Sequence, residues 1–293
     1  MEEKVYSRKY ATAAAFILPA LILIFAIDLY PAIRTLILSL YTPEGVFDPV
    51  ANWGAVLSDR KMLNFRSWEP PYGAIIHNLI WIVIHLPTTV ILGLLLAVLF
   101  RRVKGKAVVQ SIIFIGMVIP MVVGGLIMSF MFDRSIGVVG IAARLFGTPA
   151  QNPLRYPDTA IYALAFGSVW LWTGFSLILH SAALSTIPQD YYDQARVDGA
   201  SAPRMFFQIT IPLLASITRV VIVMTVIWEL KIFGIVFAAT GGGPGNATNV
   251  LALQMYDYAF RQFNFNYGAV VTTILLIMVL IVSIPMVRRS ISE

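Results

Sequence analysis

The chain has 293 residues, of which 58% are hydrophobic and only 12% are charged, and its mean hydropathy is +0.80. A soluble domain carries about 25% charged and about 45–50% apolar residues, so this composition excludes a water-soluble enzyme. The sequence contains no cysteine, which excludes disulfides, thiolate metal sites and cysteine nucleophiles. Its formal net charge of +6 is explained by Lys and Arg at membrane edges rather than by nucleic-acid binding.

The apolar residues are collected into long runs. The first, at about residues 11–40, is too long for a signal-peptide core and is interpreted as a retained helix with a kink at Pro19 or Pro31. Because the runs lack the alternation of a transmembrane barrel, the sequence predicts an all-α, polytopic membrane protein with six transmembrane helices. Five further runs are each long enough to span a hydrocarbon core of about 30 Å: residues 75–100, 109–132, 160–186, 213–239 and 267–287.

The positive charges set the predicted orientation. They cluster in short loops on one side, which the positive-inside tendency identifies as the cytoplasm, so both termini are predicted to be cytoplasmic. The loops at residues 41–74, 133–159 and 240–266 are longer, mix their charges and are placed outside. No linker or internal repeat divides the chain, so residues 1–293 are predicted to form one membrane domain. The cytoplasmic charges are Lys4, Arg8, Lys9, Arg101, Arg102, Lys104, Lys106, Arg196, Arg204, Arg288 and Arg289.

The cytoplasmic segment at residues 186–212 is predicted to form two short helices at the membrane face. Thr186 and Gln189 fit a capping box for the first helix, and Asp198-Gly199 offers a left-handed exit from it. The second helix carries two adjacent phenylalanines and is expected to end at Pro212. Aromatic side chains exposed by such a hairpin need a partner surface to bury them. The alternative is that residues 186–212 are an ordinary connector that lies on the lipid headgroups. The basic cluster at residues 101–106 is interpreted separately, as a topology signal on anionic headgroups.

The residue order in this segment resembles the "EAA" loop of binding-protein-dependent ABC importer permeases. That signature reads Glu-Ala-Ala-x-x-Asp-Gly-Ala with an aromatic-Ile-x-x-Pro ending, and here Asp193 and Gln194 replace its first two residues. In that family the loop is a coupling helix seated in a groove of a cytoplasmic ATPase. The resemblance therefore implies an ATPase-coupling role for the matching residues, which are Asp193, Ala195, Asp198, Gly199, Ala200, Phe206, Phe207 and Pro212.

A glycine-rich segment on the outer side supports the same family. The stretch from Thr240 to Thr248 resembles the Thr-x-Gly-Gly-Pro…Thr loop of carbohydrate-uptake permeases of the maltose (MalF) and glycerol-3-phosphate (UgpA) type. The resemblance implies that Gly242, Gly243 and Pro244 contact a solute-binding protein. The run lacks the Gly-Lys-Ser/Thr ending of a phosphate loop, so the chain is expected neither to hydrolyse ATP nor to bind a cofactor. The resemblance places ATP and Mg²⁺ on partner ATPase subunits.

Polar and aromatic residues in the fourth and fifth predicted helices are candidates for a solute pathway. An ionisable residue in a spanning helix is costly and suggests function, and Glu229 lies about midway along the fifth helix. An aromatic plate beside a hydrogen-bond acceptor suits a sugar ring and its hydroxyls. The alternative is that Glu229 pairs with a cation of a partner subunit and the aromatics only pack between helices. The maltose-type resemblance implies a mid-membrane pocket lined by Ser168, Trp172, Phe175, Thr225, Trp228, Glu229 and Ile232.

The remaining ionisable groups are given structural roles. Lys231 is expected to point away from Glu229, because the two residues are two positions apart on a helix. His77, His85 and His180 lack metal-ligand partners in the sequence and are interpreted as neutral, hydrogen-bonded core residues. The pattern contains no nucleophile triad and no paired carboxylates, so no catalytic or metal-binding residue is predicted.

Together with the resemblance, the sequence predicts one permease subunit of an ABC importer in the cell membrane. It would translocate a sugar or related polyol by ATP-driven alternating access. A bundle with one coupling loop is half of a pathway, which implies a second, MalG-like permease, two cytoplasmic ATP-binding subunits and an extracytoplasmic solute-binding protein. One alternative is an ion-gradient-driven secondary transporter of a small polar solute, which favours coupling carboxylates and an inverted repeat. Another is a membrane scaffold that keeps the ATPase contact for signalling.

Overall fold

The computed structural model describes residues 15–64, 69–101 and 103–292, and these residues form helices and connecting segments with no strand. The side chain of Arg289 is not described. The cytoplasmic location of both termini stays a prediction. Four of the charges on which it rests lie outside the described residues: Lys4, Arg8, Lys9 and Arg102.

The described residues divide into two compact units. The first holds the residues up to Val56 together with Met255–Ile274. The second holds Leu57–Gln254 together with the residues from Leu275 onward. The last helix contributes residues to both units. The expectation of a single membrane domain stays a prediction.

The helices are numbered here in chain order. They are α1 (Ala15–Leu38), α2 (Pro49–Ser58), α3 (Ala74–Phe100), α4 (Lys106–Val118), α5 (Met121–Met131), α6 (Val138–Leu145), α7 (Pro157–Gly167), α8 (Val169–Thr186), α9 (Gln189–Val197), α10 (Ala202–Leu213), α11 (Ala215–Leu230), α12 (Gly234–Ala239), α13 (Leu251–Tyr256) and α14 (Phe265–Ser292).

The helices provide the number of membrane crossings that the sequence predicts. Four spans are long and apolar enough to cross alone: α1, α3, α7 with α8, and α14 as far as Pro285. Two further spans are bent pairs, with α4 and α5 meeting at 100° and α10 and α11 at 68°. Counting each bent pair as one span gives six crossings among the described residues. The all-α, polytopic fold is confirmed.

The third predicted span is not a continuous helix. The expected helix over residues 109–132 breaks between Val118 and Met121. Ile119 has φ −67° and ψ +126°, the extended conformation that a following proline favours, and Pro120 supplies that proline. Pro120 therefore explains the bend, although the high hydropathy on both sides of it predicts a continuous span.

The fifth predicted span is also shorter than expected. The sequence predicts one helix over residues 213–239, but α11 ends at Leu230 and α12 is a separate short helix. The amide nitrogen of Asn78 on α3 donates to the carbonyls of Glu229 at 3.1 Å and of Leu230 at 3.3 Å. Carbonyls in the last turn of a helix lack partners within that helix, so the side chain of Asn78 on α3 caps the end of α11. Glu229 therefore lies at the end of α11, not midway along it, and it is buried whereas Lys231 is exposed.

The irregular turn in α1 lies next to Pro31 rather than at Pro19, which sits within regular helix. A π turn runs over Phe25–Leu29, and the backbone N–H of Tyr30 donates to the carbonyl of Phe25. A proline ring clashes with the carbonyl four residues earlier and provides no N–H, so a wider turn before it relieves both problems.

Close helix contacts build the core of the second unit. Helix α3 packs on α7, α8 and α11, while α4 packs on α8 and α5 packs on α12. At Gly93 on α3 an added Cβ would collide with the side chain of Ser176 on α8. At Gly174 it would lie 2.8 Å from the backbone of Phe114 on α4. Small residues at such crossings let helix backbones approach, as is usual between membrane helices.

In the first unit, polar side chains fasten the segments that follow α1. Asn52 on α2 donates to the carbonyl of Ser39 at 2.7 Å, and Asn266 on α14 donates to the carbonyl of Tyr41 at 2.9 Å. The apolar window of α1 itself is unburied in the part of the chain that the structure describes. Such a face suits lipid or a neighbouring subunit.

Candidate functional site

The coupling hairpin comprises α9 and α10, and the exit from α9 follows the predicted form. Gly199 has φ +76°, and its N–H donates to the carbonyl of Arg196 at 3.0 Å. The N–H of Ala200 donates to the carbonyl of Ala195 at 2.8 Å. These two bonds make a Schellman motif, which requires a left-handed residue at the glycine position. The local sequence of Asp198-Gly199 thus fixes the turn of the hairpin.

The start of α9 differs from the prediction. Thr186 is still the last residue of α8, and its hydroxyl donates to the carbonyl of Ala183 at 2.8 Å. The predicted capping box with Gln189 is therefore wrong, because Thr186 closes α8 and Pro188 is the residue before α9. The amide of Gln189 instead donates to Asp193, whose other contact is an ion pair with Arg196 at 2.5 Å.

The second helix of the hairpin presents its aromatics unequally. Phe207 is 65% exposed, whereas Phe206 is half-buried with its ring centroid 5.1 Å from that of Phe207. A π turn over Phe206–Thr210 comes before Pro212, in the same arrangement as the turn before the proline of α1. Pro212 lies one residue before the end of α10, so the predicted end of that helix is close to the observed one.

The predicted coupling residues mostly lie on the surface of the hairpin. Asp193, Asp198, Gly199, Phe207 and Pro212 are exposed, while Ala195, Ala200 and Phe206 are partly buried. Space is open around Gly199, where an added Cβ would meet nothing within 4 Å. A surface with an exposed phenylalanine and a fixed turn can dock into a protein groove.

The buried polar cluster comprises His85 and Thr89 on α3 with Thr225 and Glu229 on α11. The Nδ1 of His85 lies 2.6 Å from Oε1 of Glu229, and both side chains are fully buried. The hydroxyl of Thr89 lies 3.4 Å from the same Nδ1. Glu229 therefore has a partner within the same chain, the imidazole of His85.

Several polar atoms around this pair have no hydrogen-bond partner among the described residues. They are Nε2 of His85, Oε2 of Glu229, Oγ1 of Thr225 and Nε1 of Trp81. A buried polar atom without a partner loses its hydration without compensation, which costs about 1–3 kcal/mol. Such atoms can be satisfied by water or by the hydroxyls of a solute.

Aromatic rings flank the buried polar cluster on one side. The ring centroid of Trp172 lies 5.1 Å from that of His85, and the ring of Phe175 lies 4.7 Å from that of Trp228. A cavity of about 100 Å³ opens between α4, α5, α8 and α11, and Trp172 and Trp228 are among its lining residues. The two tryptophans thus line the same cavity.

The other predicted pocket residues lie apart from this cavity wall. Ser168 is buried, and its hydroxyl donates to the carbonyl of Ala165 at 3.0 Å. Ile232 is fully buried beyond the end of α11. Trp228 lines the cavity whereas Glu229 contacts His85, and the predicted lining of the solute pocket stays a prediction.

Sequence reasoning missed the two α3 residues that contact α11. His85 was interpreted as an isolated core residue, and Asn78 was not singled out. A signal was present, because Trp81, His85 and Thr89 recur every four residues and form a polar stripe in an otherwise apolar helix. All three predicted core histidines are buried and hydrogen-bonded: His77 to Asn249, His85 to Glu229 and His180 to Ser176.

The outer glycine-rich loop is held together by its two threonines. The hydroxyls of Thr240 and Thr248 lie 2.7 Å apart, and that of Thr248 donates to the carbonyl of Gly243 at 2.8 Å. Gly242 has φ +91° and is buried, so it supports the loop from within. Gly243 and Pro244 instead border an open cavity of about 650 Å³.

Polar residues of the preceding outer segment line the same cavity. Asp133 accepts the hydroxyl of Ser135 at 2.6 Å and the N–H of Ile136 at 3.1 Å. These hydrogen bonds, led by the one from the Ser135 side chain, lower the pKa of Asp133 to about 2. Asp133 is therefore charged at neutral pH, and Arg155 lines the cavity with it. The outer face thus offers an open, polar concavity beside the glycine-rich loop.

The family follows from a comparison with known proteins. The family model described as binding-protein-dependent transport system inner membrane component matches residues 89–292. The chain belongs to this family. The permease is thus a multi-pass inner-membrane component of an ABC importer, and the family membership counts against the ion-gradient alternative.

Individual relatives cover nearly the whole permease. A probable ABC transporter permease protein of Pyrococcus horikoshii is 46% identical, over 96% of this chain and 99% of that protein. The osmoprotective compounds uptake permease protein GgtC of Synechocystis is 33% identical, over 94% and 97%. The trehalose/maltose transport system permease protein MalF of Thermococcus litoralis is 29% identical, over 96% and 94%.

A solved structure shows the same fold. It is a bacterial alginate ABC transporter in complex with an alginate pentasaccharide-bound periplasmic protein. One of its chains matches with a TM-score of 0.80 at 18% identity, and the match covers 97% of this permease and 94% of that chain. The likeness confirms the architecture of an importer permease.

Proposed function

We propose that this permease translocates a sugar or related polyol by ATP-driven alternating access. The names of its relatives support this solute class, because MalF of Thermococcus litoralis is a trehalose/maltose permease. The chemistry of the site agrees with it, since two tryptophans share a cavity next to buried polar atoms that have no hydrogen-bond partner among the described residues. Sugar rings stack on aromatic faces while their hydroxyls bond polar groups.

The permease works as one part of a larger complex. A second, MalG-like permease completes the pathway, and two cytoplasmic subunits supply the ATPase activity and hold ATP and Mg²⁺. A solute-binding protein delivers the solute on the outer side, where Gly243 and Pro244 border the 650 Å³ cavity. That cavity is of a size that accommodates a protruding loop or side chains of a partner.

The coupling hairpin carries the proposal of ATP coupling. Its Schellman turn exposes Gly199 with open space around it, and Phe207 is exposed beside it. Closure of the ATPase subunits on ATP moves the hairpin and rotates the helices so that the cavity between Trp172 and Trp228 faces outward. Hydrolysis then resets the cavity to the inside.

The pocket between the two tryptophans must widen during this cycle. Its volume of about 100 Å³ is well below the roughly 300–1,000 Å³ of an ordinary ligand pocket. One wall of the pathway is expected from the second permease, so the cavity of a single chain is only part of the transport pathway. Ser168, Trp172, Phe175, Thr225, Trp228, Glu229 and Ile232 are proposed to line it or to support its lining.

A solute panel tests the proposed function. The complete complex in proteoliposomes is given the binding protein, internal ATP and one solute at a time: trehalose, maltose, a pentose, a polyol, an amino acid or a peptide. ATP-dependent uptake of at least one sugar or polyol is the expected result. Uptake of an amino acid or peptide alone would contradict the solute class, and uptake without ATP would contradict the energy source.

A further inference from the structure

Arg101 does more than mark the cytoplasmic side of the membrane. It is the residue that follows α3, and its guanidinium carbon lies 4.4 Å from the centroid of the Tyr192 ring on α9. Its Nη2 donates to Oε1 of Gln189 at 3.2 Å, on the same helix. One side chain at the end of α3 therefore makes two different contacts with the coupling hairpin. A cation over an aromatic face is attracted by the ring electrons.

Tyr192 is the buried member of this contact. It is 6% exposed, whereas its helix neighbours Tyr191 and Asp193 are exposed. Its hydroxyl lies 3.1 Å from that of Thr210, which is on α10. The ring packs in an apolar cluster with residues of α3, α8, the α8–α9 link and the α10–α11 junction: Ala97, Leu177, Leu184, Ile187 and Leu214. Tyr192 is thus the anchor through which α9 is held to the membrane helices.

Helix α3 links this anchor to the buried polar cluster. His85 lies sixteen residues before Arg101 on the same helix, about 24 Å along its axis at 1.5 Å per residue. At that level it contacts Glu229 on α11 and Trp172 on α8. A displacement of α9 that carries Arg101 with it therefore moves the helix that supports the proposed solute pathway.

We propose that Arg101 and Tyr192 form a clasp that transmits movement of the coupling hairpin to α3, and that both act as positioning residues for transport. The clasp is defined by Arg101, Tyr192, Gln189 and Thr210. This inference rests on the proposed function, because it concerns how ATP hydrolysis is coupled to uptake. The charge pattern explains Arg101 only as a topology signal, whereas the clasp gives it a role in transport.

The first test compares Arg101→Ala with Lys104→Ala in the complete complex in proteoliposomes. Lys104 belongs to the same basic cluster and is exposed, so it controls for loss of a cytoplasmic charge. Arg101→Ala is expected to keep ATP hydrolysis within about twofold of wild type while uptake per ATP falls by about fivefold or more. Arg101→Lys keeps a cation near the ring and is expected to regain part of that loss. Lys104→Ala is expected to behave as wild type.

A cross-link separates transmission from simple folding defects. The chain has no cysteine, so Arg101→Cys and Gln189→Cys can be combined without removing native thiols. A cleavable bifunctional thiol reagent that replaces the lost side chains is expected to restore uptake per ATP. Reduction of the reagent is expected to abolish the gain. A variant that was merely misfolded would not recover in this reversible way.

Three results would overturn the clasp. The first is wild-type uptake per ATP in Arg101→Ala, the second is an equal loss in Lys104→Ala, and the third is no effect of the cross-link on coupling. In each case wild-type complex must show ATP-dependent uptake. If the wild-type complex itself shows none, the proposed function fails, so the two failures are distinguishable.

Discussion

The coupling hairpin and the buried polar cluster place their functional atoms in opposite surroundings. In the hairpin, the turn is completed by bonds between residues close in sequence, and Gly199 and Phe207 face open space. In the cluster, His85 and Glu229 are fully buried, lie on different helices and are 144 residues apart in the sequence. The first region is therefore built to meet a partner and the second depends on the packing of its own chain.

This difference predicts how the two regions respond to substitution. A change of an exposed side chain on the hairpin should impair coupling while leaving the free energy of unfolding of the permease almost unchanged, apart from the backbone strain of replacing Gly199. A change in the buried polar cluster should alter both thermal stability and solute affinity, because it leaves a buried polar group without its partner. The following substitutions test this difference between the coupling hairpin and the buried polar cluster.

The largest effect is expected at Gly199. Replacement by Trp places a bulky side chain on the hairpin surface and should abolish ATP-driven uptake while the solute-binding protein still docks. Gly147 provides a matched control, because it also follows a helix, has φ +66°, and has nothing within 4 Å of an added Cβ. Both substitutions carry the same backbone strain of about 1–2 kcal/mol, but only the first faces the proposed ATPase. Equal loss of uptake in Gly147→Trp would attribute the effect to strain instead.

The next largest effect is expected at Glu229. Glu229→Ala leaves His85 buried without its partner, so the melting temperature should fall and the KM of uptake should change by up to about tenfold. His85→Ala and the double variant complete a thermodynamic cycle, in which the double variant should lose less stability than the sum of the single ones. Unchanged uptake kinetics in Glu229→Ala, measured on folded protein, would remove this residue from the solute pathway.

A smaller effect is expected at Phe207. Phe207→Ala removes an aromatic surface that is 65% exposed, so stability should stay the same while the affinity for the ATPase falls about fivefold, equivalent to about 1 kcal/mol. Phe146→Ala is the control, since Phe146 is 82% exposed on the outer side of the predicted topology. Titration of the purified ATPase onto permease in nanodiscs measures both. A matching loss in the Phe146 variant would show that the effect is not specific to the hairpin.

The smallest effect is expected at Thr248 in the outer loop. Thr248→Val removes the hydroxyl that joins Thr240 and Gly243, which should lower stability by about 1 kcal/mol and weaken binding-protein docking slightly. Thr248→Ser keeps the hydroxyl and should resemble wild type. Thermal unfolding and binding-protein titration of the two variants provide the measurement. Identical curves for the two variants would mean that the hydroxyl does not hold the loop.

The sequence alone predicted those features of the fold that depend on residues close together along the chain. Six apolar runs of spanning length predicted six crossings, and Asp198-Gly199 predicted the left-handed exit from α9. One local signal failed, because Thr186 is the last residue of α8 and its hydroxyl bonds within that helix, so it does not cap α9. The bend at Pro120 was available from the sequence but was hidden by the high hydropathy on both sides.

The contacts between distant helices could not be predicted in the same way. The pairing of His85 with Glu229 and the cap that Asn78 places on α11 depend on how α3 crosses α11. No spacing within one helix encodes that crossing. Trp228 and Glu229 are a different case, because both lie within α11 and neighbouring positions on a helix point in different directions.

The composition of the native complex tests the account most directly. The permease is extracted from its native membranes with several mild detergents, and the chains that co-purify are identified by mass spectrometry. An ATP-binding subunit together with a second, related permease is the predicted result, with the ATPase reduced or lost in the Gly199→Trp variant. Recovery of this chain alone in every detergent would contradict the proposal that the hairpin seats in an ATPase.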